Sequence, residues 1–391
     1  MSATAVPGFE AAGIACGIKP DGVPDLALVA TADRQPVTAA GVFTTNRVAA
    51  APVQVSREHL RDGRATAVIL NSGNANAATG EPGRRDARRM CELTAQELGC
   101  APADVLVCST GLIGYPLPMA PIVAGVPKLV GALGSDEAAG LAAADAILTT
   151  DTVRKTAHAT IDKGGTRITV AGFAKGAAML SPAMATMLAV VVTDAAVTPA
   201  ALNAAVLGAV DTSFNSLVVD GCTSTNDTVL AFASGTAGEA PTSDLEGALA
   251  EVCSDLAHAM AADAEGMTHR ARVVVRGAAS SDDARRAARA VATSQLVQCS
   301  LNGGDPYWGR VLSELGASGA DLDPERVDIA YDGIIVCRDG VGAEHDVAAV
   351  AAVMARDDLE ITCDLHRGAG EAAILFTDLS HAYIDENRTT S

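Results

Sequence analysis

Basic charge is scarce in this chain. Only 28 Lys and Arg stand against 47 Asp and Glu in 391 residues, a formal net charge of −19, which repels phosphate backbones and anionic lipid surfaces. No nucleic-acid or membrane partner is expected. The longest nearly apolar stretch, Ala183 to Val192, falls far short of the roughly 20 residues that cross a bilayer. The opening Met1-Ser2-Ala3-Thr4-Ala5 has no basic residue ahead of an apolar run and does not read as a signal peptide. A soluble, cytoplasmic protein is the expectation. Nine cysteines include no CxxC pair, and seven histidines include no HxxxH or HExxH. Reduced, mostly buried thiols are therefore expected, with no metal and no resident cofactor.

What the chain does have is material to bury. Hydrophobic residues make up 49% of it, and its length exceeds the roughly 250–300 residues at which one core stops growing, so two cores or lobes are expected. No composition shift marks a boundary between them. Apolar runs rich in β-branched residues, at Ala67–Leu70, Val105–Cys108, Arg167–Val170 and Arg272–Arg276, read as strands. Helical spacing appears over Arg84–Leu98, Asp136–Leu148, Pro199–Val210, Ser243–Ala262 and Asp282–Ala292, several opening on Ser, Asp or Pro. The mixed order of these elements predicts an α+β layered architecture rather than a doubly wound sheet.

Four stretches combine glycines, hydroxyls and amides beyond what a core requires. Asn71-Ser72-Gly73-Asn74-Ala75-Asn76 follows a strand and fits a turn tolerant of left-handed backbone, or a wall of hydrogen-bonding groups. Cys108-Ser109-Thr110-Gly111 can aim N–H groups and a hydroxyl at a developing oxyanion, although such a turn is common. In the third stretch Thr186 precedes the apolar run Met187–Val192, and locally it fits a core threonine as well as a site residue. Upstream lies Lys175, one of five lysines against 23 arginines. A chain that uses Arg for generic cations suggests that Lys175 is chosen for its compact ammonium. The fourth stretch, Cys222–Val229, is dense in polar side chains beside an apolar run, which favours a site wall or buried network over a solvated loop.

Taken together, and with Val42–Val53, Leu148–Thr152, Asp263–Gly266, Gly304–Arg310 and Thr377–Tyr383, these segments resemble the ornithine acetyltransferase (glutamate N-acetyltransferase) family nearly end to end. The resemblance implies an αββα sandwich of the kind shared with certain aminopeptidases. It further implies a precursor that cuts itself between Ala185 and Thr186 into an α chain, 1–185, and a β chain, 186–391, assembled as a heterotetramer or larger. Thr186 would be the nucleophile and its freed α-amino group the base. Thr110 and Gly111 would form the oxyanion hole, and Thr149, Lys175, Thr186, Glu265, Asn387 and Ser391 would bind substrate. The implied reaction moves acetyl from N2-acetylornithine to glutamate by a ping-pong route, with acetyl-CoA open as a second donor.

Three places depart from the family pattern: Ser294–Ser300, where Gln298 replaces a cation; Asp305–Arg310, where Tyr307 replaces Asn; and the short tail Asn387–Ser391. They leave two rivals standing, a paralogous acyltransferase or amidohydrolase acting on other amino acids and a non-enzymatic binding protein.

Overall fold

The computed structural model describes residues 1–163, 166–180 and 187–388, which fall into two compact units. Unit 1 comprises Met1–Gly176, Ala183–Asn215 and Thr223–Met260; unit 2 comprises Ala177–Pro182, Ser216–Cys222 and Ala261–Ser391. Composition hides the division because two of the visits to unit 2 last only a few residues. Neither unit coincides with 1–185 or 186–391, since each draws on both segments.

Unit 1 is the expected αββα sandwich. In β2 (Leu26–Thr31), β5 (Ala67–Asn71) and β6 (Val105–Ser109), Leu26, Leu28, Ala67, Ile69, Val105 and Val107 face one apolar cluster. Their neighbours Ala27, Val29, Val68, Leu70, Leu106 and Cys108 face another. A strand covered on both sides gains by being apolar at every position, which is why these runs lack polar alternation. With β1 (Phe9–Ile14) they form a sheet in the order β1-β2-β5-β6, in which β5 and β6 run parallel.

The second sheet of unit 1 has the order β4-β3-β11-β9-β8-β7: β4 (Arg64–Ala65), β3 (Val37–Phe43), β11 (Thr228–Glu239), β9 (Leu188–Ala196), β8 (Thr166–Lys175) and β7 (Lys155–Lys163). Phe9 and Phe232, from the facing sheets, meet edge to face at 6.5 Å. Helices α1 (Ala51–His59), α2 (Gly80–Leu98) and α3 (Met119–Gly131) cover the outer face of the first sheet. The interior cluster takes Ala143, Ala144 and Ala146 from α4 (Glu137–Ala146). On the other side α5 (Pro199–Thr212) packs against β3 and β11, and α6 (Thr242–Ala262) follows β11. Asp136 and Thr198 cap α4 and α5 by accepting the Ala139 and Ala201 N–H groups, the role such residues play at helix starts.

Unit 2 holds a mixed sheet in the order β10-β17-β12-β16-β13-β14-β15. Its strands are β10 (Leu217–Val218), β12 (Arg270–Ala278), β13 (Asp328–Tyr331), β14 (Ile334–Arg338), β15 (Val341–Gly342), β16 (Asp358–Asp364) and β17 (Gly370–Thr377). Ala271, Val273, Val275, Leu359, Ile361 and Cys363 form one cluster with α7 (Ser281–Thr293), α8 (Gln295–Asn302), α9 (Trp308–Ala317) and α10 (Val347–Met354). In the parallel register of β12 with β16, Arg270, Arg272 and Arg276 pair with Asp358, Glu360 and Asp364. The final helix is α11 (His381–Glu386). Among the described residues no helix is long and apolar enough to cross a membrane, and all nine cysteines are free.

Candidate active site

The parallel register of β5 with β6 sets Asn71 opposite Ser109, so both Asn/Gly-rich and Ser-Thr-Gly turns leave the same end of the sheet. There they lock together. The Asn71 carbonyl accepts the Thr110 N–H at 3.0 Å, Ser109 Oγ donates to Asn71 Oδ1 at 2.6 Å, and Asn71 Nδ2 donates to the Asn74 carbonyl at 2.9 Å. With its own N–H committed, Thr110 can offer an oxyanion its hydroxyl, and Gly111 its N–H. Gly111 sits at φ +128°, and a Cβ there would lie 2.3 Å from the Gly73 carbonyl carbon. Only glycine fits. Gly111→Ala is expected to lower kcat about 10²–10³-fold, the usual effect of losing one oxyanion donor. Steady-state rates near wild type would remove Gly111 from the site.

A second group sits at the end of β8. Lys175 is only 3% exposed; its Nζ donates to Thr149 Oγ1 at 2.6 Å and lies 3.4 Å from Asp151 Oδ2. Asp151 Oδ1 accepts from Lys155 Nζ at 2.8 Å and from the Gly176 N–H at 2.6 Å. Burial pushes the Asp151 carboxyl up, but the Lys175 and Lys155 ammoniums and these hydrogen bonds outweigh it and hold the group below the usual carboxylate range. Lys19 joins from the β1–β2 loop, its Nζ donating to the carbonyls of Leu148 at 2.6 Å and Pro24 at 2.8 Å. Burial lowers its ammonium, with Asp25 opposing and Lys175 reinforcing the shift. Two of the five lysines thus pair with Asp151, and the charge of Lys19 is felt nearby. Two buried ammoniums on one carboxylate leave a surplus positive charge suited to a small anion such as a carboxylate.

The polar run after Cys222 is a buried network, as its composition suggests. Asn226 Nδ2 donates to the carbonyls of Ser109 at 2.8 Å and Ala75 at 2.6 Å, and Asn226 Oδ1 accepts from Thr225 Oγ1 at 2.6 Å. One side chain therefore pins both turns. Its neighbour Asp227 accepts the Met187 N–H through Oδ1 at 3.0 Å, and the Thr228 N–H donates to the Met187 carbonyl at 3.1 Å. The start of β9 is fixed to the start of β11 by these bonds. Thr186 and Ala185, immediately before Met187, lie outside the described residues, as does Ser391.

In unit 2, Glu265 is buried and accepts from Asn387 Nδ2 at 2.7 Å. These two expected site residues are brought together there. Asp220, which motif reasoning passed over, accepts the Leu180 and Cys222 N–H groups at 3.1 and 3.0 Å and the Tyr383 hydroxyl at 3.1 Å. Two of the departures from the family pattern can be placed in unit 2. The buried Gln298 amide donates to the carbonyls of Val219 and Ala292. Tyr307 is exposed at the start of α9, beneath the Arg310 guanidinium at 5.8 Å. Among the described residues no group of three or more His, Cys, Asp or Glu side chains could hold a metal.

The family model for ArgJ matches residues 10–389. The chain belongs to the ArgJ family. The "arginine biosynthesis bifunctional protein ArgJ" of Mycobacterium leprae (strain TN) is 47% identical over 396 residues, 99% of this chain and 95% of its own. That of Thermobifida fusca (strain YX) is 46% identical over 392 residues, the full length of both. Among solved structures, ornithine acetyltransferase of Mycobacterium tuberculosis complexed with ornithine is 41% identical, with a TM-score of 0.42 over 48% of this chain and 95% of that one. The ArgJ structure from Bacillus halodurans is 37% identical, with a TM-score of 0.45 over 48% of this chain and 94% of that one. As an ArgJ family member this chain is an acyltransferase of arginine biosynthesis. Its relatives are matched along their whole length, which removes the non-enzymatic reading.

Proposed function

We propose that this enzyme moves the acetyl group of N2-acetyl-L-ornithine to L-glutamate through an ester on Thr186, after cutting its own chain between Ala185 and Thr186. The observation that carries the reading is identity of 47% and 46% to bifunctional ArgJ proteins over 95% or more of both partners. In the first half-reaction Thr186 Oγ attacks the acetyl carbonyl and the ornithine amine leaves. In the second the glutamate amine attacks the ester carbonyl and Oγ leaves. The Thr186 α-amino group carries the proton from each nucleophile to each leaving group. That amine needs no histidine, because its unperturbed pKa is about 7.7–8.0. Thr110 and Gly111 hold the oxyanion. Lys175, presented by Thr149 and Asp151, takes a substrate carboxylate, and Glu265, steadied by Asn387, takes the ornithine amino group. Ser391 is the remaining candidate for substrate binding. The cut chains stay together as α and β subunits of a larger assembly in the cytoplasm, without a resident cofactor, and acetyl-CoA serves as a second acyl donor.

Incubating the purified enzyme with N2-acetylornithine and glutamate, and separately with acetyl-CoA and glutamate, tests both donors. Formation of N-acetylglutamate in the first mixture is required; failure there, with correctly cut protein, would sink the assignment of substrates. Glu265→Gln keeps an acceptor for Asn387 but loses the charge. It is expected to raise KM for acetylornithine about 10- to 100-fold, the equivalent of one charged hydrogen bond, while KM for acetyl-CoA stays within about twofold.

A further inference from the structure

The side chain of Lys19 runs between two parts of the site in unit 1. Its stem lies against the Asn71–Asn76 turn: a Cβ built on Gly73 would fall 3.1 Å from Lys19 Cγ, and Gly73 is also the residue that a Cβ on Gly111 would strike. Its ammonium crosses to the loop after α4 and donates to the Leu148 carbonyl at 2.6 Å, with a second bond to Pro24 in its own loop at 2.8 Å. The backbone that carries the stem is fixed as well. The buried Asp25 carboxylate collects the N–H groups of Cys16, Gly17, Ile18 and Lys19 at 2.6–3.0 Å.

At its far end Lys19 holds one particular peptide group. The Leu148–Thr149 peptide offers its carbonyl to the Lys19 ammonium and its N–H to Asp151 Oδ2 at 3.1 Å. Thr149 then accepts Lys175 Nζ through its hydroxyl, and Asp151 Oδ2 lies 3.4 Å from the same nitrogen. Both groups that orient the Lys175 ammonium therefore hang on a peptide whose rotation Lys19 restrains. A peptide free to swing would carry Thr149 Oγ1 out of the narrow range in which a charged hydrogen bond is strong.

We propose that Lys19 is a positioning residue for the substrate carboxylate, acting through the Leu148–Thr149 peptide to aim the Lys175 ammonium. This rests on the reading of Lys175 as the partner of that carboxylate. The carboxylate does not react. It is held alike before and during acetyl transfer, so misdirecting its partner weakens substrate and transition state together, and the loss appears in KM rather than kcat. N2-acetylornithine and glutamate both carry such a group, so both KM values respond. A lysine beyond a helix end can also serve only to cap its carbonyls, a role that would leave KM alone.

Lys19→Met keeps the stem against Gly73 and removes the ammonium; Lys19→Arg keeps a cation long enough to reach Leu148. Steady-state kinetics of both, of Lys175→Met and of the double variant Lys19→Met/Lys175→Met provide the test, with the purified enzyme, N2-acetylornithine and glutamate. Lys19→Met is expected to raise KM for both substrates about 10-fold, the scale of one hydrogen bond to a charged group. Its kcat should stay within about threefold of wild type, and Lys19→Arg should bring both KM values back to within about threefold. In the Lys175→Met background, Lys19→Met should add less than about twofold, because an effect carried by Lys175 vanishes with it, whereas independent effects multiply. Unchanged KM values in Lys19→Met, multiplied effects in the double variant, or a Lys19→Met chain that does not fold each overturn the proposal. If Lys175→Met itself leaves both KM values unchanged, the reading of Lys175 fails instead, so the two failures are separable.

Discussion

Purified Thr186→Ala protein is expected to remain one chain of 39.4 kDa, and the native sequence to yield two fragments of comparable size, 1–185 and 186–391. On the proposed mechanism two functions are lost together, because one hydroxyl would open the chain and later carry the acetyl group. Acetyl transfer should fall by at least about 10⁴-fold, since a covalent mechanism without its nucleophile retains only binding and oxyanion stabilisation. Thr186→Ser, which keeps a hydroxyl, should still be cut. A mass spectrum showing fragments in the Ala variant would remove Thr186 from both roles, and acetyl transfer by an intact Ala variant would remove it from turnover alone.

Asp151→Ala is expected to have the largest effect on stability. Its carboxylate lies between the Lys155 and Lys175 ammoniums, and the side chains of Asp151 and Lys155 are wholly buried. Removing one partner of a buried ion pair leaves uncompensated charge and typically costs about 3–5 kcal/mol. The comparison is cleanest in the Thr186→Ala background, where a single chain unfolds. Because the folded Asp151 carboxyl is held low, its contribution is complete above the ordinary carboxylate range and is lost only as pH falls through the folded value. The gap in urea midpoints between the two proteins should therefore stay constant from pH 7 to about 5 and narrow only below about 4. A gap that closed between pH 7 and 5 would show that the carboxyl is not held low. Acetyl transfer should drop as well, since Lys175 loses its anchor.

The sequence showed the layers of unit 1 more clearly than the joints of its site. Strands such as β5 and β6 are legible because burial on two faces leaves an unbroken apolar run, and helix starts are legible because Asp136 and Thr198 cap them. Lysine scarcity singled out Lys175. It said nothing of Lys155, which meets the same carboxylate from the adjacent strand. The hold of Asp227 on the Met187 N–H could not be foreseen either, since it depends on how β9 pairs with β11. The partners of Gln298 were equally out of reach: its amide meets the carbonyls of Val219 and Ala292, one of them 79 residues away in sequence.

The second sheet of unit 1 has a consequence for the life of the molecule. Its order, β4-β3-β11-β9-β8-β7, sets two strands from beyond residue 186 between pairs of strands from before it. β9 pairs with β8 from Leu188↔Lys175 to Thr193↔Val170, and β11 pairs with β3 from Thr228↔Phe43 to Ala233↔Thr38. Each fragment on its own would present raw sheet edges along its length. While the chain is whole, assembling this weave is an intramolecular event. On the proposed cut, reassembly after denaturation would become a second-order encounter between two sticky pieces, so maturation would turn a renaturable polypeptide into one whose unfolding is effectively terminal.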